Sequence, residues 1–119
     1  MATAKTIYHM CRREEWQAAL AQGHYGGSSQ DVADGFIHFS TGTQVVESAA
    51  RHRTGQSGLV LIACAVDRLE HTLRWEASRG GQLFPHLYGP LFPSAVIAVT
   101  ELPLGDDGLH CFPALDTDA

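Results

Sequence analysis

One uninterrupted apolar run, Leu59–Val66, constrains the fold of this chain more than any other segment. Its eight residues suit a β-strand and fall far short of the roughly twenty that a membrane-spanning helix needs. The apolar side chains do not alternate with polar ones, so we expect both faces of the strand to be covered. The run therefore predicts a strand at the centre of a sheet in a protein without a transmembrane segment.

The length and composition fit one globular domain. The chain has 119 residues, 45% of them hydrophobic, and a chain of this length can bury roughly two thirds of its unfolded surface. We expect residues 6–103 to form the domain, after an N-terminal arm at residues 1–5. Residues 104–119 contain four aspartates and little periodicity, which predicts a loosely ordered acidic tail.

The order of the remaining elements is typical of an α+β fold. A strand is predicted at Thr6–Met10, and a helix at Arg13–Gln22 that Gly23 ends. Residues 24–34 lack any period and are expected to be a mobile loop that could act as a lid. Further elements are predicted at Phe36–Phe39 (strand), Gln44–His52 (helix, capped by Thr41 or Thr43), Leu73–Glu76 with Leu83–Tyr88 (hairpin) and Ala95–Leu102 (strand). We therefore predict a bent antiparallel-rich sheet or split β-sandwich with two helices.

Three of the seven histidines lie in short aromatic or hydroxyl-bearing segments and are candidates for a functional site. These are His9, His38 within Phe36–Thr41, and His86 within Phe84–Tyr88. Imidazole can exchange a proton near pH 7, bind a metal, or hold a ribose or phosphate group. The segments therefore predict a polar pocket and leave its chemistry open.

Side chains alternate between the two faces of a strand, so each segment presents its polar groups on one side. His38 and Ser40 share one face of their strand, while Ile37 and Phe39 are expected to face the core. If the strands are neighbours, these polar faces line one cleft. The residues expected there are His9, His38, Ser40, Glu76, His86 and Tyr88, with Arg12 or Arg74 near the mouth.

Other interpretations of the histidines stay open. Three imidazoles with an open coordination position would form a catalytic zinc site, and the protein would then be a metal-dependent hydrolase. The candidates do not form the close pairs that are typical of metal sites, so only the tertiary fold could assemble one. A buried histidine bonded to a backbone carbonyl would explain any single candidate without a function. Tyr8 and Tyr88 are expected to be amphipathic residues of the pocket wall.

Charge and cysteine content narrow the function classes. Thirteen acidic residues against eight basic ones give a net charge of −5, which argues against a nonspecific nucleic-acid binder. Cys11, Cys64 and Cys111 are odd in number and lack close spacing, and no apolar region resembling an export signal follows Met1. We expect reduced thiols and a cytoplasmic protein that binds neither nucleic acid nor membrane.

Four motifs resemble those of a family of small bacterial and plant proteins known only as a domain of unknown function. They are Ile7–His9, Gly35–Thr41, Leu73–Glu76 and Leu83–Leu91. That family is similar in fold to the ADP-ribosyltransferase-like superfamily, which includes the RNA 2'-phosphotransferases. The resemblance implies an ADP-ribosyltransferase-like fold and a nucleotide-like ligand, with NAD as the first candidate for the substrate.

The resemblance also implies roles for individual residues. His9 is similar to the residue that holds the NAD ribose, and His38 with Ser40 and Thr41 resembles the segment that flanks nicotinamide. Glu76 resembles the glutamate that stabilises an oxocarbenium-like transition state. Catalytic roles are thus implied for Glu76 and His38, and ligand binding for Tyr8, His9, Arg12, Ser40, Thr41, Arg74, His86 and Tyr88. The alternative is a non-catalytic module for a nucleotide or phosphorylated metabolite, in which Glu76 pairs with a neighbouring group.

Overall fold

Two antiparallel β-sheets and three α-helices make up residues 5–117, the part of the chain that this computed structural model describes. The strands are β1 (Thr6–Arg12), β2 (Ile37–His38), β3 (Ser40–Thr41), β4 (Leu59–Ala65), β5 (Leu73–Ala77), β6 (Leu83–Leu87) and β7 (Val96–Leu102). The helices are α1 (Arg13–Gln22), α2 (Ser29–Asp34) and α3 (Val45–His52). The larger sheet has the order β3-β1-β4-β7, and the smaller has the order β2-β6-β5. The predicted α+β class is confirmed, with three helices in place of two.

Both ends of the chain extend slightly beyond the described residues. Residues 1–4 of the predicted arm and residues 118–119 of the predicted tail lie outside the described residues. Within the described range, none of the helices has the length and apolar character that crossing a membrane requires.

Strand β4 lies between β1 and β7, as the apolar run predicted. On one face, Val60 and Ile62 pack in a core that also contains Trp16 of α1. On the other face, Leu59 packs in a second core that contains Val45 of α3. Both faces of β4 are therefore buried, and its central position is confirmed.

Helix α1 begins and ends at the predicted residues, Arg13 and Gln22. The Glu15 carboxylate accepts a hydrogen bond of 3.1 Å from the backbone N–H of Arg12, which satisfies a donor at the helix start. Gly23 ends the helix in the left-handed conformation, with φ of 92°. Strand β1 is two residues longer than predicted because β4 pairs with it as far as Arg12.

Helix α2 occupies part of the segment that was expected to be a mobile loop. The Ser28 hydroxyl accepts a bond from the backbone N–H of Asp31, and the Asp31 carboxylate accepts one from the backbone N–H of Ser28. This reciprocal capping box defines where the helix begins. Gly35, with φ of 88°, ends it. The prediction of a loop was therefore wrong for residues 29–34.

The strand predicted at Phe36–Phe39 is divided between the two sheets. Strand β2 pairs with β6, placing His38 opposite His86, whereas β3 pairs with β1, placing Ser40 opposite Tyr8. Phe39 lies between the two short strands and is buried, as predicted. The chain therefore crosses from the smaller sheet to the larger one at the point where the candidate histidines lie.

Helix α3 and the hairpin agree with the predicted positions, apart from the helix cap. Gln44 precedes the helix, and neither Thr41 nor Thr43 caps it. The Gln44 side chain instead accepts a hydrogen bond of 3.0 Å from the backbone N–H of Thr41. Strands β5 and β6 pair directly, which confirms the predicted hairpin.

The segment after residue 103 packs onto the larger sheet, where the sequence predicted loose order. Phe112 and Leu115 are partly buried against the second core, beside Tyr8. The backbone N–H of Asp116 donates a hydrogen bond of 2.7 Å to the Tyr8 hydroxyl. These contacts cover the face of the sheet opposite α1.

Candidate functional site

A cleft of about 1080 Å³ lies where the chain crosses between the two sheets. Side chains from β1, β2, β3, β6 and all three helices line it. The predicted site residues that line the cleft are Tyr8, His9, Arg12, His38, Ser40 and His86. Those that do not line it are Thr41, Arg74, Glu76 and Tyr88. The fold therefore brings the three candidate histidines to one cleft and places Glu76 outside its lining.

His9 has partners inside the protein on both ring nitrogens. Its Nδ1 lies 2.6 Å from the carbonyl oxygen of His38, and its Nε2 lies 2.7 Å from the Tyr25 hydroxyl. Since a carbonyl can only accept, Nδ1 carries the hydrogen and Nε2 accepts from Tyr25. Burial lowers the pKa of His9, although the nearby Asp31 carboxylate acts in the opposite direction. His9 is thus a neutral residue that connects β1 to β2, and its ring is only 3% exposed.

Asp31 is a buried carboxylate that holds His38 in place. Its Oδ1 accepts from the backbone N–H of His38 at 3.1 Å and lies 2.5 Å from the ring Nδ1. Its Oδ2 accepts from the backbone N–H and the hydroxyl of Ser28. Burial by itself would raise the pKa of Asp31, but the hydrogen bonds from His38 and Ser28 outweigh burial, and the pKa is lowered to about 2. Asp31 is therefore ionised.

His38 is a fixed cation in the cleft. Its Nδ1 bonds to Asp31, and its Nε2 lies 3.0 Å from Oδ2 of Asp34. The hydrogen bond to Asp31 raises the pKa of His38, and the negative charges of Asp31 and Asp34 add to this effect. With a carboxylate at each nitrogen, both nitrogens donate, which is the arrangement of an imidazolium. The ring is 40% exposed.

His86 lines the same cleft and is bonded through one ring nitrogen to Glu76. Its Nδ1 lies 2.7 Å from Glu76, whose carboxylate oxygen also accepts a bond of 2.7 Å from the Tyr88 hydroxyl. The bond from His86, followed by that from Tyr88, lowers the pKa of Glu76, so its carboxylate is ionised and can only accept. Nδ1 of His86 therefore donates to Glu76, which leaves Nε2 as the ring nitrogen that is available to other groups. Among the described residues, no hydrogen bond to that Nε2 is present.

Aromatic contacts hold the two cleft histidines in position. The ring of Phe36 stacks on that of His86, with centroids 4.0 Å apart and an interplanar angle of 26°. The rings of His38 and His86 meet edge to face, with centroids 5.7 Å apart. Two imidazole rings with different hydrogen-bond partners thus lie side by side in the cleft.

Glu76 lies outside the cleft lining and is hydrogen-bonded to His86. Its side chain is 39% exposed, but the carboxylate is bonded to His86 and Tyr88. The Arg74 guanidinium lies 5.3 Å from the centre of the Tyr88 ring. Arg74, Glu76 and Tyr88 form the polar face of the hairpin, as strand alternation predicted. They act on the cleft indirectly, through the hydrogen bond between Glu76 and His86.

The other predicted residues have local partners. Ser40 shares a hydrogen bond of 3.2 Å with Ser48 of α3, and Thr41 shares one of 3.0 Å with Thr43. Arg12 is exposed at the edge of the cleft. Among residues 5–117, no group of three or more histidine, cysteine, aspartate or glutamate side chains is arranged to hold a metal ion. The hydrolase alternative thus has no candidate ligand set in the described chain.

Comparisons with known proteins show the family. The sequence profile of the family described as Protein of unknown function (DUF952) matches residues 10–99. The chain belongs to the DUF952 family. The expectation of a family of unknown function is thus confirmed, and no curated protein matches the chain.

Structures of another protein, CC0527 from Caulobacter crescentus, are similar to this DUF952 chain. The chain in its crystal structure is 50% identical in sequence to this one. The match covers 89% of this chain and 93% of that chain, with a TM-score of 0.86. Its solution NMR structure is 51% identical, covers 87% of this chain and 90% of that chain, and has a TM-score of 0.79. The two proteins share one fold.

Sequence reasoning missed several residues of the site in this DUF952 chain. Asp31 and Asp34 both lie in the segment that was interpreted as a loop. The pattern Ser28-x-x-Asp31 is a capping-box signal and could have predicted the helix that carries them. Tyr25 has no such signal, because its position depends on backbone pairing with Leu91 from a distant part of the chain.

Proposed function

We propose that this DUF952 protein binds a small nucleotide-like ligand in the cleft and recognises its phosphate and ribose groups. The observation that carries this proposal is the pair of His38 and His86, 5.7 Å apart between ring centroids. The His38 imidazolium suits a phosphate oxygen, and the second ring nitrogen of His86 can form a hydrogen bond with a ribose hydroxyl. The cleft volume of about 1080 Å³ is close to the upper end of the roughly 300–1,000 Å³ that is usual for ligand sites.

Other groups of the cleft support a polar ligand. Arg12 and Arg53 bring positive charge to a lining that also contains the carboxylates of Glu15, Asp31 and Asp34. Serines from separate elements add neutral hydroxyl groups: Ser28, Ser29, Ser40, Ser48, Ser57 and Ser78. A lining of this kind can form many hydrogen bonds, and Phe39 and Phe84 add apolar surface beside these polar groups.

NAD and ADP-ribose are the first ligands to test, because the sequence motifs resemble those of ADP-ribosyltransferase-like proteins. On that resemblance we extend the proposal to an ADP-ribosyltransferase-like fold, with His38 and Ser40 next to the nicotinamide. His9 has an indirect role in this proposal, since it holds the His38 carbonyl and has no free ring nitrogen.

Binding without turnover is the function that the geometry supports best. Cleavage of the bond between ribose and nicotinamide requires a carboxylate that faces the developing positive charge on the ribose. The Glu76 carboxylate faces His86 and Tyr88 instead. We therefore assign Glu76 the role of a positioning residue that fixes the tautomer and direction of the His86 ring.

Calorimetry tests the binding proposal. The protein is titrated with NAD, ADP-ribose and inorganic phosphate, beside the variants His38→Gln and His86→Gln, with His71→Gln as an exposed control outside the cleft. Hydrogen bonds to charged groups contribute about 1.5–3 kcal/mol, so His38→Gln should weaken binding by about tenfold or more. Absence of heat with all three ligands would overturn the proposal.

Nicotinamide release separates a binding protein from an enzyme. NAD is incubated with the parent protein and with Glu76→Gln, and nicotinamide is followed by chromatography. A bound ligand without release supports the binding protein. If the parent releases nicotinamide and Glu76→Gln does not, the protein is a transferase or hydrolase, and the proposal of binding without turnover is wrong.

A further inference from the structure

The exposed nitrogen of His38 already has an anionic partner. Nε2 of His38 lies 3.0 Å from Oδ2 of Asp34, the last residue of α2. The two side chains are 40% and 38% exposed, and both line the cleft. Asp31 occupies the other nitrogen and by itself balances the charge of the imidazolium. His38 thus has one buried carboxylate and a second, exposed one.

The two carboxylates are held very differently. Asp31 is buried and accepts hydrogen bonds from two groups of Ser28 and two of His38. Asp34 has one further bond, of 3.0 Å from the exposed amide of Gln30. Exposed ion pairs contribute little to stability, because water solvates both partners well once they separate. Asp34 can therefore leave His38 at small cost, whereas Asp31 cannot.

We propose that Nε2–H of His38 binds an oxyanion of the ligand, and that the Asp34 carboxylate occupies this anion position in the free protein. A phosphate oxygen of the incoming ligand accepts the hydrogen bond that Asp34 accepts now, and Asp34 turns outward to solvent. The inference rests on the proposed function and adds two details to it. It names the atom that binds the phosphate group and the residue that competes with it.

Removal of the competing charge should strengthen anion binding. Asp34→Asn keeps the size of the side chain but removes both the ion pair with His38 and the repulsion of a bound phosphate. Exposed pairs of this kind are worth a factor of about two to five in an equilibrium constant, and we expect phosphate-containing ligands to bind tighter by that factor. The measurement is made at pH 6, below the ordinary histidine pKa of 6.5, and the hydrogen bond to Asp31, which the variant retains, acts to raise the pKa of His38. His9 and His86 are the other titratable groups that face His38.

The experiment compares three proteins at pH 6 with two probes. The parent, Asp34→Asn and the control Asp67→Asn are titrated with inorganic phosphate and with ADP-ribose by calorimetry. Asp67→Asn makes the same change in net charge as Asp34→Asn. Asp67 is exposed and lies outside the cleft lining, so this control separates the effect of net charge from that of the position in the cleft. The ¹⁵N shift of His38 Nε2 is followed in the same samples, and melting temperatures show that each variant is folded.

The expected result is a two- to fivefold gain for Asp34→Asn only, with a change in the Nε2 shift on addition of the probe. A gain with both probes identifies the phosphate group itself, and a gain with ADP-ribose alone identifies a nucleotide as the source. Equal gains in Asp34→Asn and Asp67→Asn, or unchanged or weaker binding to Asp34→Asn, would overturn the anion position while ligand binding stands. Absence of binding to all three proteins would overturn the proposed function as well.

Discussion

Replacement of Asp31 by asparagine should destabilise this protein by about 2 kcal/mol at pH 7. The carboxylate is 3% exposed and accepts hydrogen bonds from Ser28 and His38. A fall in its pKa from 3.8 to about 2 on folding corresponds to about 2 kcal/mol, at roughly 1.4 kcal/mol for each pKa unit. Asparagine has nearly the same shape but no charge, and its NH2 group cannot accept the hydrogen bonds that one carboxylate oxygen accepts now, so the variant loses at least the ionic part of these bonds.

The same linkage predicts how this loss depends on pH. Because the pKa of Asp31 is lower in the folded state, its contribution is present above about pH 3.8 and disappears as the pH falls through about 2. The difference in stability between the parent and Asp31→Asn should therefore shrink below pH 4. The pKa of His38 is raised on folding, so its contribution is present below pH 6.5 and is lost as the pH rises through the folded-state value.

Urea unfolding followed by circular dichroism measures the loss of stability at pH 7 and its dependence on pH. Unfolding free energies of the parent, Asp31→Asn and the control Asp67→Asn are compared at pH 7, 5, 4 and 3. The control should match the parent to within about 0.5 kcal/mol, as is usual for surface substitutions. A loss below about 0.5 kcal/mol for Asp31→Asn at pH 7, or a loss that stays constant down to pH 3, would refute the reasoning.

Two substitutions elsewhere test the internal contacts. Tyr25→Phe removes the donor to His9 and leaves a buried nitrogen unsatisfied, so thermal unfolding should show a loss of about 1–3 kcal/mol; an unchanged melting temperature would contradict that bond. Gly42→Ala places a methyl group against the backbone carbonyl of Asp116, which should displace the C-terminal segment and increase its cleavage by protease. Gly26→Ala is the control, because its methyl group meets nothing within 4 Å. Equal cleavage of both variants would argue against the packing of this segment.

The sequence by itself determined the elements whose signals are local. The apolar run Leu59–Val66 predicted the central strand, because only a strand with two covered faces has no polar side. Gly23 predicted where α1 ends. The glycine turn between Leu73 and Tyr88 predicted the hairpin. In each case, hydrogen bonds and packing within or next to the element decide its structure.

Only the tertiary structure decided what the site residues do. Strand alternation predicted the polar face that holds His38, but not that the chain changes sheets at Phe39. The sequence pattern also could not show that both ring nitrogens of His9 have partners inside the protein, or that Asp31 and Asp34 contact His38. The charge and tautomer of an imidazole depend on which atoms lie within about 3 Å of its two nitrogens. Those neighbours come from distant parts of the chain, and a one-dimensional pattern does not contain their distances.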